Sequence, residues 1–217
     1  MAKRLGIGFI GGGFISRFHI QSLIGVRDVD VHGVYSKTKT SSEETAALAR
    51  VTGVGEAKAY DSITDMVANP DIDALWICAP NYTRMEVMEE IVHAVESGKG
   101  KLIGVTCEKP LGRNVAEAKR MLELAQGADL LDGYLENQVF APSVTRGKEI
   151  VWARGASTTG PPFLARAAEE HSGPHMPWFW EGELQGGGVL NDMMCHSVEE
   201  ARFMLTPPGE SREVLTP

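Results

Sequence analysis

Short apolar runs alternate with amphipathic stretches over roughly the first two thirds of the chain. Residues 5–10 (Leu-Gly-Ile-Gly-Phe-Ile), 29–35 (Val-Asp-Val-His-Gly-Val-Tyr), 73–79 (Asp-Ala-Leu-Trp-Ile-Cys-Ala), 101–106 and 130–136 are predicted strands. The run at 73–79 is nearly continuous in its apolar character, as expected of a central parallel strand covered on both faces. The intervening segments carry apolar residues at helical spacing. A helix is predicted from residue 14 to about Leu23. Another is opened by a capping box at Ser41-x-x-Glu44 and runs to about Arg50, and a short one spans 61–68 and ends near Asn69-Pro70. Met85, Met88, Val92 and Val95 define one face of a fourth helix, and Val115, Ala118, Met121, Leu122 and Ala125 one face of a fifth. Strands alternating with helices imply βαβ units and a parallel sheet.

The character changes after about residue 137. Residues 147–155 and 162–170 are predicted as two strands joined by a turn at Gly160-Pro161-Pro162. A Gly/His/Pro/Trp-rich segment follows from His171 to Glu183, and Gly186-Gly187-Gly188 leads a helix to about Leu205. The change divides the chain into a domain over 1–136 and a second over 137–217.

The first candidate chemistry lies between the first strand and its helix. Residues 11–16, Gly-Gly-Gly-Phe-Ile-Ser, fit the strand–turn–helix context of G-x-G-x-x-G, with Ser16 where the third glycine would stand. Gly6-x-Gly8-x-x-Gly11 matches the pattern literally, but its glycines would sit inside the strand. In the preferred frame Gly11 makes the tight turn. Gly13 lets the backbone approach a pyrophosphate at the helix N-terminus, beside Phe14 and Ile15. An NAD site would place Asp or Glu at the end of the second strand; here stands Ser36-Lys37-Thr38-Lys39. Hydroxyls and cations suit a 2′-phosphate, so NADP is preferred over NAD. Ala79-Pro80-Asn81 ends the strand at 73–79, where open α/β sheets bind ligands.

Composition narrows the setting. Apolar residues make up 43% of the 217 and the net charge is −8, which supports a sizeable core and argues against nucleic acid as a partner. The three cysteines are odd in number and far apart, so a reducing compartment is expected. The chain enters its first strand with no apolar leader and holds no membrane-length apolar run, so a cytoplasmic protein with no membrane partner is expected.

Two further features could handle protons. Cys107-Glu108-Lys109-Pro110 follows a predicted strand, and the proline holds Lys109 out of the helical region. Taken alone, these four residues fit a surface lysine in a turn. Desolvated in a cleft, Lys109 could serve as a proton-transfer group. Asp192 and His196 are four apart, which on a helix puts them on one face. His171 and His175 match no strong metal spacing with His196, and no metal is expected. Trp178-Phe179-Trp180 fits packing, with Trp178 able to wall a pocket.

Three motifs in order resemble the Gfo/Idh/MocA family, named for glucose–fructose oxidoreductase and inositol dehydrogenase. They are Gly8-Phe9-Ile10-Gly11-Gly12-Gly13, then Glu108-Lys109-Pro110, then Gly186-Gly187-Gly188-x-x-x-Asp192-x-x-x-His196; Ile77-Cys78-Ala79-Pro80-Asn81 is similar too. The resemblance implies an α/β fold: an N-terminal Rossmann dinucleotide-binding domain, then an α+β domain with a mostly antiparallel sheet, incomplete here. It also implies reversible oxidation of a sugar or polyol hydroxyl by NAD or NADP. Lys109 would transfer the proton, His196 share or relay it, and Asp192 orient substrate hydroxyls, with Asn137 near nicotinamide or sugar. The expected cofactor contacts are Gly11, Gly13, Phe14, Ile15, Ser36, Lys37, Ala79, Pro80, Asn81, Glu108 and Lys109; those to substrate are Asn137 and Trp178. Self-association through the C-terminal sheet is a further expectation. Two departures stand out. The family often places His four residues after the proline of Pro-Asn, where this chain has Arg84, and family chains are considerably longer. Two alternatives stay open: a non-catalytic nucleotide-binding sensor or assembly subunit, and a dehydrogenase of another kind on the same cofactor fold.

Overall fold

The computed structural model describes residues 3–211. Six strands form one sheet: β1 Leu5–Ile10, β2 Val29–Tyr35, β3 Lys58–Tyr60, β4 Ala74–Ile77, β5 Gly104–Glu108 and β6 Leu131–Leu135. Their order is β3-β2-β1-β4-β5-β6, and every neighbouring pair is parallel. The helices α1 Phe14–Ser22, α2 Lys39–Val51, α3 Ile63–Val67, α4 Arg84–Glu96 and α5 Val115–Gly127 fill the crossovers. Parallel strands need such crossovers, and the helices then cover the sheet, which is why β1 and β4 are rich in apolar residues.

Two apolar clusters form the core. Ile7, Phe9, Val31 and Val34 pack with Ile20 of α1 and with Ala46 and Ala49 of α2. Leu75, Ile77, Val105 and Cys107 pack with Met66 of α3, Met88 and Ile91 of α4, and Met121 of α5. The chain reverses direction across the sheet between β1 and β4. Ile10 is level with both Tyr35 and Ile77, and Ile77 with Cys107, so the carboxyl ends of β2, β1, β4 and β5 lie near one level.

Local differences from the expected elements have simple causes. β3 has only three residues and no apolar period to announce it. β5 begins three residues later than expected and includes Glu108. The capping box at Ser41 is not formed: α2 starts at Lys39 with Thr38 as N-cap. Ser41 sits inside the first turn and donates its hydroxyl to the Gly12 carbonyl at 2.7 Å.

The chain divides into two compact units. One holds the described residues up to Leu135 together with Glu183–Gly186; the other holds Glu136–Gly182 and the residues from Gly187 onward. The antiparallel sheet expected in the second unit is absent among the described residues. Residues 147–155 lie in α6 Pro142–Ile150 and a π-helical turn Val151–Gly155, continued by α7 Ala156–Thr159, while 162–170 form no regular element and a short α8 Gly182–Gln185 comes later. Pro142 occupies the first turn of α6, where its fixed φ suits a helix start. A helix satisfies its backbone groups internally, whereas two strands without a third are marginal in water. The helical segment is held by Lys148 Nζ on the Phe203 carbonyl (2.8 Å) and Trp152 Nε1 on the Met204 carbonyl (2.9 Å). With no C-terminal sheet, the surface expected to mediate self-association is not formed among the described residues. No helix among the described residues is long and apolar enough to cross a membrane.

Candidate active site

The glycine turn follows directly from β1. Gly11 has φ +112°, and a Cβ there would stand 2.7 Å from the Cys78 carbonyl oxygen, so both conformation and space demand glycine. Its N–H donates to the Tyr35 carbonyl at 2.7 Å, tying the turn to the end of β2. Gly13 caps α1, and a Cβ there would meet nothing within 4 Å. Ser16 is fully buried and donates its hydroxyl to the Gly11 carbonyl at 2.7 Å. The serine therefore fastens the turn that a third glycine would merely let pack. Ser16→Ala is expected to cost about 1 kcal/mol, the usual worth of one such hydrogen bond, seen as a lower Tm with the fold retained. Phe14 is exposed and stacks on Phe18 with ring centroids 6.2 Å apart. No acidic residue stands in the first turn of α1, so the helix itself places no carboxylate at its N-terminal dipole.

Beyond β2, Thr38 N–H donates to Ser36 Oγ at 3.4 Å. Lys39 pairs with Asp61 at 3.0 Å, and that hydrogen bond raises the ammonium pKa above its ordinary value. Lys37 approaches Glu86 at 3.9 Å, a looser pair between two exposed side chains. At the end of β4, Asn81 is buried and donates Nδ2 to the Gln185 carbonyl at 2.9 Å. Its side-chain amide thus holds the Glu183–Gly186 segment to the first unit. Arg113 supports the same segment through Nη1 on the Glu183 carbonyl at 2.7 Å.

Lys109 emerges immediately after β5, and the Lys109–Pro110 peptide is cis. Glu108 is turned inward: its Oε1 lies 2.7 Å from His19 Nε2, and its Oε2 accepts the Lys109 N–H at 3.0 Å. His19 reaches it from α1 and stacks on Trp76 with ring centroids 5.8 Å apart. Arg84, also buried, sends Nε to the Ala79 carbonyl (2.9 Å), Nη1 to those of Glu108 (2.7 Å) and Pro110, and Nη2 to that of Lys109 (3.3 Å). Burial pushes the Cys107 thiol up to about 11 and raises Cys78 as well, so neither is a ready thiolate.

In the second unit, Asp192 and His196 do not share a continuous helix. α9 Gly188–Asp192 ends at Met193, and α10 Met194–Leu205 begins afresh. Buried His196 instead places Nδ1 2.5 Å from Glu136 Oε1. Glu136 also accepts from the N–H groups of Gln138 (3.0 Å) and Val139 (3.5 Å). The carboxylate thus holds the Nδ1 side of the ring and leaves Nε2 for other work. Asn137 is exposed, and half-buried Trp178 stacks on Phe179 at 3.8 Å between centroids.

His19, Glu136 and the role of Arg84 escaped the sequence reading. His19 had a weak signal, since it lies three residues from buried Ser16 on α1. Glu136 had none beyond standing at the end of a strand.

A parallel sheet of this order with a glycine turn at its point of reversal defines a Rossmann-type dinucleotide-binding fold. The model of the Gfo/Idh/MocA oxidoreductase family, described by its NAD-binding Rossmann fold, matches residues 5–131, and the chain belongs to that family. A 1,5-anhydro-D-fructose reductase of Ensifer adhaerens is 30% identical over 207 residues, covering 94% of this chain and 58% of the relative. A myo-inositol 2-dehydrogenase of Thermotoga maritima is 26% identical over 200 residues, covering 92% and 54%. Among solved structures, GenD2 from gentamicin A biosynthesis, in complex with NAD, superposes with a TM-score of 0.79 at 26% identity, covering 96% of this chain and 55% of that one. The chain thus spans between half and three fifths of the length of these relatives.

Proposed function

We propose that the protein binds NAD(P) along the turn at residues 11–16 and exchanges hydride with a sugar or polyol carbon. Lys109 takes or gives the hydroxyl proton. The observation that carries this reading is the place of Lys109: it leaves the carboxyl end of β5, on the same edge of the sheet as the glycine turn. The open space above Gly13 and the N-terminus of α1 suit a pyrophosphate. The cofactor supplies the hydride chemistry; the chain's residues bind, orient and move a proton. Names of similar proteins, such as anhydrofructose reductase and inositol dehydrogenase, support the substrate class. Within the second unit, the Glu136 carboxylate holds Nδ1 of His196, which suits that ring to handling a proton.

NADP is the preferred cofactor on this reading, through Ser36 and the loosely paired Lys37. Lys37→Glu is expected to weaken NADPH binding about tenfold, the loss of one charge-assisted contact, and to leave NADH binding unaffected. Fluorescence titration with both dinucleotides checks it, and a wild-type preference for NADH would overturn it.

The reading as a whole is tested by titrating both reduced cofactors, then screening sugars and inositols at the nicotinamide absorbance. Turnover on a polyol supports it. Tight cofactor binding with no turnover on any substrate would instead favour a non-catalytic nucleotide-binding subunit.

A further inference from the structure

We propose that Arg84 is the positioning residue for Lys109, a role that rests on the reading of Lys109 as the proton-transfer group. Its guanidinium is buried and serves four main-chain carbonyls, those of Ala79, Glu108, Lys109 and Pro110. Three of the four are consecutive. In an extended strand, successive carbonyls point to opposite sides, so one donor group cannot reach three in a row. Here the chain after β5 curls around the guanidinium and the peptide groups on both sides of the Lys109 Cα are held. The fourth acceptor, Ala79, lies just past the end of neighbouring β4, so the same side chain ties two adjacent strand ends together.

The Lys109 N–H is held independently, by the Glu108 carboxylate that His19 in turn engages. Both main-chain groups of Lys109 therefore answer to buried side chains. A guanidinium suits this task because its five N–H donors are fixed in a plane. An imidazole has at most two donors and cannot serve four carbonyls. A lysine has three, radiating from one point.

The test uses the full chain with Arg84→Ala and Arg84→Lys, and Lys109→Ala as reference. Hydrogen exchange is followed in peptides spanning 107–113 and in those of β1, β2 and β4. Dinucleotide affinity and turnover are measured alongside. Arg84→Ala is expected to speed exchange at 107–113 about tenfold or more while the sheet peptides stay as in wild type. It should lower kcat about a hundredfold, as a misplaced reacting group does, with dinucleotide affinity little changed. Added methylguanidinium should restore part of the rate and methylammonium none. If the alanine variant does not fold, Arg84→Lys is read the same way, with a smaller effect. Faster exchange spread evenly over the sheet would mean a purely structural role and overturn the proposal, as would an unchanged 107–113 segment. If wild type itself shows no turnover, the proton-transfer reading fails, while the exchange pattern still decides whether Arg84 holds this segment.

Discussion

Lys109→Ala is expected to lower kcat for polyol oxidation by about a thousandfold, within the range that positioned general acid–base groups contribute. Cofactor affinity should stay close to wild type, because the glycine turn and the N-terminus of α1 are untouched. Lys109→Arg sharpens the test. It keeps the positive charge and most of the stem, but a guanidinium does not give up its proton in a protein. It should therefore be about as slow as the alanine variant if the lysine transfers a proton. A role in charge alone would leave Lys109→Arg near wild type. Single-turnover reduction of bound NAD(P), with substrate deuterated at the reacting carbon, separates a slowed chemical step from slowed product release. Turnover that survives Lys109→Ala unchanged would remove the lysine from the mechanism.

The second large effect concerns the turn, where two glycines two residues apart should behave oppositely. Gly11→Ala places a Cβ 2.7 Å from the Cys78 carbonyl oxygen and 2.9 Å from its carbonyl carbon, on backbone held at φ +112°. The neighbours are main chain at the end of β4 and cannot swing aside as a side chain would. Strain at a positive φ and overpacking each cost about 1–3 kcal/mol, so a loss of about 3 kcal/mol is expected. That corresponds to a fall in Tm of about 10 °C for a chain of this size. Gly13→Ala meets no neighbour within 4 Å, and its φ of −84° suits any residue. It should leave Tm unchanged and weaken dinucleotide binding, since its methyl would occupy the space offered to the pyrophosphate. Thermal melting with and without NADPH checks both. Equal melting losses for the two variants would show that the turn is only structural.

The contrast between these glycines shows how far local pattern carries. β1 and β2 match their predicted bounds, and the glycine turn and Lys109 each stand at a strand's carboxyl end. A buried parallel strand needs apolar residues throughout, and a tight turn needs glycine, so both leave marks within a few neighbouring residues. The helical stretch from Pro142 to Thr159 went the other way. A Gly-Pro-Pro turn suggested a hairpin, but the stretch finds its packing on α10, with Trp152 and Lys148 bonding carbonyls more than fifty positions away.

The sequence by itself determined the repeating strand–helix order, the glycine turn and the placement of Lys109, because each follows from periodicity and backbone conformation over short spans. Only the tertiary structure decided the partners of the buried polar side chains. His19 meets Glu108 across 89 positions, His196 meets Glu136 across 60, and Arg84 gathers the carbonyls of 108–110 from 24 to 26 positions away. Such pairings leave no local signature. A buried charge must find partners wherever the fold brings them, and those of Arg84 come together because β4 and β5 lie side by side.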